Sequence, residues 1–105
     1  MIINRVNKSK QGKLFKTIYG YSQSFIKRGV SLNITAHSEY VANIILRVNG
    51  LNGTAEKNIV VVYDTAANEW VAYCDGISYR LVGLSDISIV IKNRINKLST
   101  LVSKI

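Results

Sequence analysis

The order of apolar and polar residues divides the chain into segments of different period. Residues 58–63 read Asn-Ile-Val-Val-Val-Tyr, a β-branched run closed by the polar and small residues 64–68. Residues 70–74 and 77–82 follow as two further apolar stretches, split by Asp75-Gly76. Runs of β-branched and aromatic residues separated by a two-residue Asp-Gly are the strongest short-range hairpin signal a sequence carries. The pattern predicts a three-stranded antiparallel meander over 58–82. Ile59, Val61 and Tyr63 fall on one face of its first strand and Val60 and Val62 on the other. Two apolar faces predict a central strand covered on both sides.

Upstream, Leu14, Ile18, Tyr21 and Phe25 recur at steps of four, three and four, with Phe15, Ser22 and Ile26 beside them. That spacing predicts a helix over 13–28. Gly29 stands where a helix commonly stops, and Lys27-Arg28 suit its negative end. Gly20 inside the stripe costs about 1 kcal/mol relative to alanine and leaves a twisted hairpin over 13–35 as the competing reading. Residues 30–35 alternate apolar and polar as a half-buried strand does. Residues 38–48 fit either a helix or a β-branched central strand; the strand is preferred because it would pair with 58–63 across a loop at 49–57. Ser85 and Asp86 mark the start of a final helix that runs to Ile105 without Gly or Pro. Its seam is Ile87, Ile91, Ile95, Leu98, Val102 and Ile105. Such a seam serves as a core face, or as a dimer seam through Ile91, Ile95, Leu98 and Val102. Residues 1–12 read as either a short edge strand or a basic arm.

The fold class expected from these elements is α+β. It comprises an antiparallel sheet of four to five strands, an N-terminal amphipathic helix and a long C-terminal one, in a single domain over 1–105. Two short stretches are similar to known families. Residues 20–25, Gly-Tyr-Ser-Gln-Ser-Phe, resemble the aromatic-glycine strand of RNA-recognition folds. Residues 68–74 followed by a capped helix resemble the strand–strand–helix of HicB-family antitoxins, without that family's proline-glycine turn. Neither resemblance extends over enough of the chain to assign a family.

Composition narrows the classes further. The 105 residues include one cysteine and no proline. A lone thiol supplies neither a disulfide framework nor a zinc site, and Cys74, inside a strand, reads as a small packed residue. No signal-peptide pattern or membrane-length apolar run is present, so a reducing, cytoplasmic location is expected, with no membrane association. Asn7, Asn33 and Asn52 head glycosylation-type triplets that an Asn-rich chain produces by chance. A basic, serine-bearing start also allows a transit peptide, but its cations are mostly lysines, and the segment is read as part of the domain.

Charge changes the picture most. The net +8 divides into +7 over residues 1–28, −3 over 29–86 and +4 over 87–105. Catalytic chemistry is sparse. His37 is the only histidine, the six acids are scattered singly, and no metal-ligand spacing occurs, so no enzyme activity and no cofactor is expected. The basic ends suggest a nucleic-acid-binding module for RNA or DNA. Its phosphate contacts would come from Lys8, Lys10, Lys13, Lys16, Lys27, Arg28, Lys92, Arg94 and Lys97, with Tyr19 and Tyr21 available to stack on unpaired bases. The rival class is a protein-interaction module: a homodimer through the C-terminal helix, or a small inhibitor or adaptor of an acidic partner protein. The nucleic-acid-binding reading depends on the two ends of the chain coming together.

Overall fold

The computed structural model describes the backbone of residues 8–26 and 29–103 and the side chains of residues 13–26 and 29–102. Helix α1 (Lys8–Ser22) leads, through a 3-10 turn at Gln23–Phe25, into strands β1 (Val30–Ala36), β2 (Val41–Gly50), β3 (Gly53–Asp64), β4 (Glu69–Cys74) and β5 (Ile77–Leu81). A second 3-10 turn at Leu84–Asp86 opens helix α2 (Ile87–Ser103). The strands form one antiparallel sheet in the order β1-β2-β3-β4-β5, so each strand pairs only with its sequence neighbours.

The expected α+β class, with five antiparallel strands flanked by two helices, is what the chain adopts. Register explains where the core lies. Ile34, Ile44 and Ile59 sit side by side across β1, β2 and β3, and Ala36, Ala42, Val61 and Ala72 make the neighbouring row. All of these are buried, and they join Leu14 and Ile18 of α1 with Ile87, Ile91 and Leu98 of α2 in one core. Helix α1 lies over β1, α2 lies over β2 and β3, and the helices touch each other. Both helices therefore pack on one side of the sheet. The α2 seam residues Ile91, Ile95, Leu98 and Val102 are all buried within this single-chain core.

The turns follow residue chemistry. Asp75 and Gly76 adopt φ of 55° and 76°, the paired positive values that a two-residue hairpin of matching twist requires. At the β3–β4 turn the Asp64 carboxylate accepts the N–H groups of Ala66 and Ala67, and Asn68 takes φ 54°. In α1, Ser22 is fully buried, and its hydroxyl donates to the Ile18 carbonyl at 2.7 Å, so the polar group is satisfied inside the apolar stripe.

Several expectations are corrected. The 49–57 loop does not exist: Asn49 pairs with Thr54 and Gly50 with Gly53, so β2 and β3 run on to a tight turn at Leu51-Asn52. The composition reads as loop because Gly, Asn and Thr dominate it. The long ladder and the docking of the turn against α2, where Asn52 N–H donates to the Val102 carbonyl at 2.8 Å, override that local preference. Helix α1 begins earlier and ends earlier than 13–28, stopping at Ser22. Residues 20–25 are helix and 3-10 turn, which removes the strand reading behind the resemblance to RNA-recognition folds. Ser85 lies within the 3-10 turn before α2, where Asp86 accepts the Val82 N–H at 3.1 Å. Strand β3 is central, but the helices cover only one of its faces; Val60 and Val62 are half-buried on the other. Among the described residues no helix is long and apolar enough to cross a membrane.

Candidate nucleic-acid interface

Charge is sorted by where the strands place it. Arg47 and Glu56 are direct cross-strand neighbours and form an ion pair at 2.6 Å. At the other end of the sheet, Arg80 bridges Glu69 at 2.9 Å and Asp64 at 3.6 Å. On the helix side, Asp75 receives Lys57 at 2.9 Å and Arg94 at 3.2 Å. The hydrogen bond from the Lys57 ammonium, with added attraction from Lys57, Arg94 and Lys97, holds the Asp75 carboxyl below the usual carboxylate range. Four of the six acids are thus matched to cations of the strands and to one arginine of α2.

The sequence-derived site residues separate accordingly. Lys13 and Lys16 on α1, and Lys92 and Lys97 on α2, are exposed and form no ion pair among the described residues. Arg94 is different. It is 7% exposed, donates to the Tyr79 hydroxyl and to Asp75, and lies over the Tyr79 ring at 5.8 Å. Its guanidinium ties α2 to the β4–β5 hairpin, so it is engaged inside the fold rather than offered to a phosphate. Lys8 and Lys10 lie on the α1 backbone with side chains outside the described residues, and Lys27 and Arg28 lie outside the described residues altogether. Adjacency of α1 and α2 puts Lys13, Lys16, Lys92 and Lys97 on one helical layer. Within that layer they spread: Lys13 borders a cleft beside the sheet, and Lys97 borders a groove with Asn93, Arg94 and Tyr79 at the far side of α2.

The aromatic groups follow expectation only in part. Phe15 is buried and stacks in parallel on half-buried Tyr19, with ring centroids 6.2 Å apart, whereas Tyr21 on the same helix is exposed, as expected of a stacking ring. The prominent aromatic corner lies elsewhere. Tyr40, in the β1–β2 turn, leans on Tyr63 of β3 at 5.8 Å, and Tyr63 meets Trp70 of β4 edge-on at 5.1 Å. The Tyr63–Trp70 contact was legible, since both flank the 64–68 turn of a predicted hairpin. Tyr40 had no local signal: it arrives because its carbonyl accepts the Tyr63 N–H at 2.8 Å. Between this corner and α1 is a cleft of about 440 Å³ lined by Lys13, Thr17, Glu39, Tyr40 and Trp70, among others.

Catalytic alternatives gain little. His37 is an exposed turn residue whose backbone N–H donates to Val41. Cys74 is 2% exposed, and burial pushes its thiol pKa up, the opposite of an activated nucleophile. No group of three His, Cys, Asp or Glu among the described residues could hold a metal ion. The fold and the charge pattern together define a helix-covered antiparallel meander with a basic helical layer. Comparison of the chain with known protein families, with curated proteins and with solved structures finds no match.

Proposed function

We propose that this protein is a small non-enzymatic nucleic-acid-binding module whose α1–α2 layer meets the phosphate backbone. The observation that carries the reading is the sorting of charge. The strand cations and Arg94 neutralise most of the acids, whereas Lys13, Lys16, Lys92 and Lys97 remain exposed on adjacent helices without ion-pair partners among the described residues. A chain of net charge +8, whose described helical lysines have no ion-pair partner among the described residues, attracts a polyanion from a distance and releases counterions on contact. Arg94 is withdrawn from the contact set, and its role is to hold the layer on the sheet.

The test is the salt dependence of binding to an RNA or DNA oligonucleotide. Each phosphate contact contributes about 0.7 to 0.9 to the slope of log affinity against log salt. Replacing Lys13, Lys16, Lys92 and Lys97 together by glutamine is expected to lower that slope by about three while the fold is retained. No binding at low salt, or a slope the quadruple variant leaves unchanged, removes the proposal.

A second reading, a protein-interaction module, is favoured by one observation. The sheet face away from the helices carries Val41, Ile45, Val60, Val62 and Val71 between the Arg47–Glu56 and Arg80–Glu69 pairs, with Tyr73 47% exposed beside them. A homodimer would use this near-neutral face, because the α2 seam is taken up by the protein's own core. Light scattering on the purified chain decides it: a monomer at high micromolar concentration rules the homodimer out.

A further inference from the structure

We infer that the cleft between α1 and the aromatic corner is a pocket for one unpaired nucleobase, so that the module grips single-stranded nucleic acid; this deepens the function proposed above and rests on it. Four parts of the chain converge there: Lys13 and Thr17 from α1, Glu39 and Tyr40 from the β1–β2 turn, Trp70 from β4, and Leu84 from the 3-10 turn before α2.

Tyr40 supplies the stacking surface. It is 53% exposed, although it leans on Tyr63, which in turn meets Trp70. Its backbone is pinned on both sides, with the N–H donating to the Ser38 hydroxyl at 3.1 Å and the carbonyl accepting from Tyr63 at 2.8 Å. An exposed ring held by a fixed backbone loses little freedom when a flat partner settles on it. Such rings stack on any base, because every base has a π face.

The charges of the cleft decide which part of a nucleotide enters. Glu39 is exposed on its wall and forms no ion pair among the described residues. A free carboxylate repels a phosphate but accepts hydrogen bonds from ring and amino N–H groups of a base. Lys13, on α1, borders the same cleft and offers its ammonium to the phosphate of that nucleotide. The cleft thus takes the neutral part of the polymer while the lysine layer holds the charged part. At about 440 Å³ it has room for a single nucleotide and none for a duplex, whose bases are already paired and stacked.

Trp70 is the only tryptophan in the chain, so its fluorescence reports the cleft alone. The full chain is titrated at low salt with a single-stranded oligonucleotide, with a hairpin duplex of equal length, and with polyphosphate, a polyanion that has no bases. The expected result is a change in Trp70 emission with the single strand and none with polyphosphate, even where polyphosphate binds. Tyr40→Ala is expected to weaken single-strand binding about tenfold and to leave polyphosphate binding unchanged, while Tyr40→Phe retains wild-type affinity. An unchanged single-strand affinity in Tyr40→Ala, or an equal Trp70 response to polyphosphate, overturns the pocket while leaving backbone binding by the lysines intact. Absence of binding to every nucleic acid overturns both.

Discussion

The face of the sheet under the helices and the face turned away from them are built by the same strands, residue by residue in alternation, and they are held in different ways. Under the helices Leu32, Ile34, Ile44, Leu46, Ile59 and Val61 lose all their exposure, and stability there comes from removing apolar area from water. On the other face the same strands show Asn33, Asn43, Val60 and Val62 half-buried and Arg47 and Glu56 exposed, with ion pairs near both ends. Exposed ion pairs are worth little each. Their effect here is one of arrangement: they occupy the acids of the strands with the cations of the strands. Among the described residues the cations left without an ion pair, Lys13, Lys16, Lys92 and Lys97, are carried by the helices. The described residues thus make a two-sided arrangement, with unpaired cations on the helix layer and paired charges on the open sheet.

Neighbouring residues of β3 give the largest measurable contrast between the faces. Ile59→Ala empties a fully buried site and is expected to cost about 3 kcal/mol, whereas Val60→Ala, one residue on and facing outward, is expected to cost about 1 kcal/mol or less. Urea denaturation of both variants checks this, and equal losses would mean that the outer face is covered after all. Next comes the β2–β3 turn. A methyl group added at Gly50 would sit 2.9 Å from the Val102 Cβ and 3.0 Å from its backbone carbonyl carbon. Gly50→Ala is therefore expected to cost about 2 kcal/mol by pushing the turn off the end of α2, read as a drop in the denaturation midpoint.

A smaller effect distinguishes the ion pair on the helix side from those on the open face. The folded-state pKa of Asp75 lies below its ordinary value, so the folded chain binds that proton less readily than the unfolded one. The contribution of Asp75 is complete above the ordinary carboxylate pKa and is lost as pH falls through the lowered one. Stability measured from pH 6 downward is expected to fall in the acid range, and Asp75→Asn is expected to flatten that part of the curve. At the bottom of the scale, Arg47→Ala on the open face is expected to change stability by about 0.5 kcal/mol or less, because its pair with Glu56 is half-exposed to solvent. An effect of Arg47→Ala larger than that of Gly50→Ala would reverse the assignment of stability to the helix side.

Period and turn chemistry carried most of the fold. The Asp75-Gly76 hairpin, the alternation in 30–35 and the α2 seam are local signals, and each predicted its element. The failures are where tertiary contact decides. The segment 49–57 reads as loop because Gly50, Asn52 and Gly53 weaken a strand, yet the ladder with its neighbour and the hydrogen bond from Asn52 to Val102 hold it extended. The two apolar sides of 59–63 predicted cover on both faces, but half-burial by neighbouring side chains on an open face satisfies the same pattern. The candidate site was legible in its lysines and in the Tyr63–Trp70 pair. Counting charge does not reveal that Arg94 turns inward, since its partners Asp75 and Tyr79 lie 19 and 15 residues away. Nor does periodicity bring Tyr40 beside Tyr63, because a turn residue has no period to read.

A strand order that copies the sequence order has a kinetic consequence. Every pairing in the sheet closes through a short connection, so the chain gathers its β structure by successive hairpins without waiting for distant segments to meet. The docking of α1 against α2 and the 3-10 turn before it closes the longest stretch of chain. The cationic layer is therefore expected to be the last part assembled and the first to loosen, which would let a polyanion tighten the protein by the act of being held.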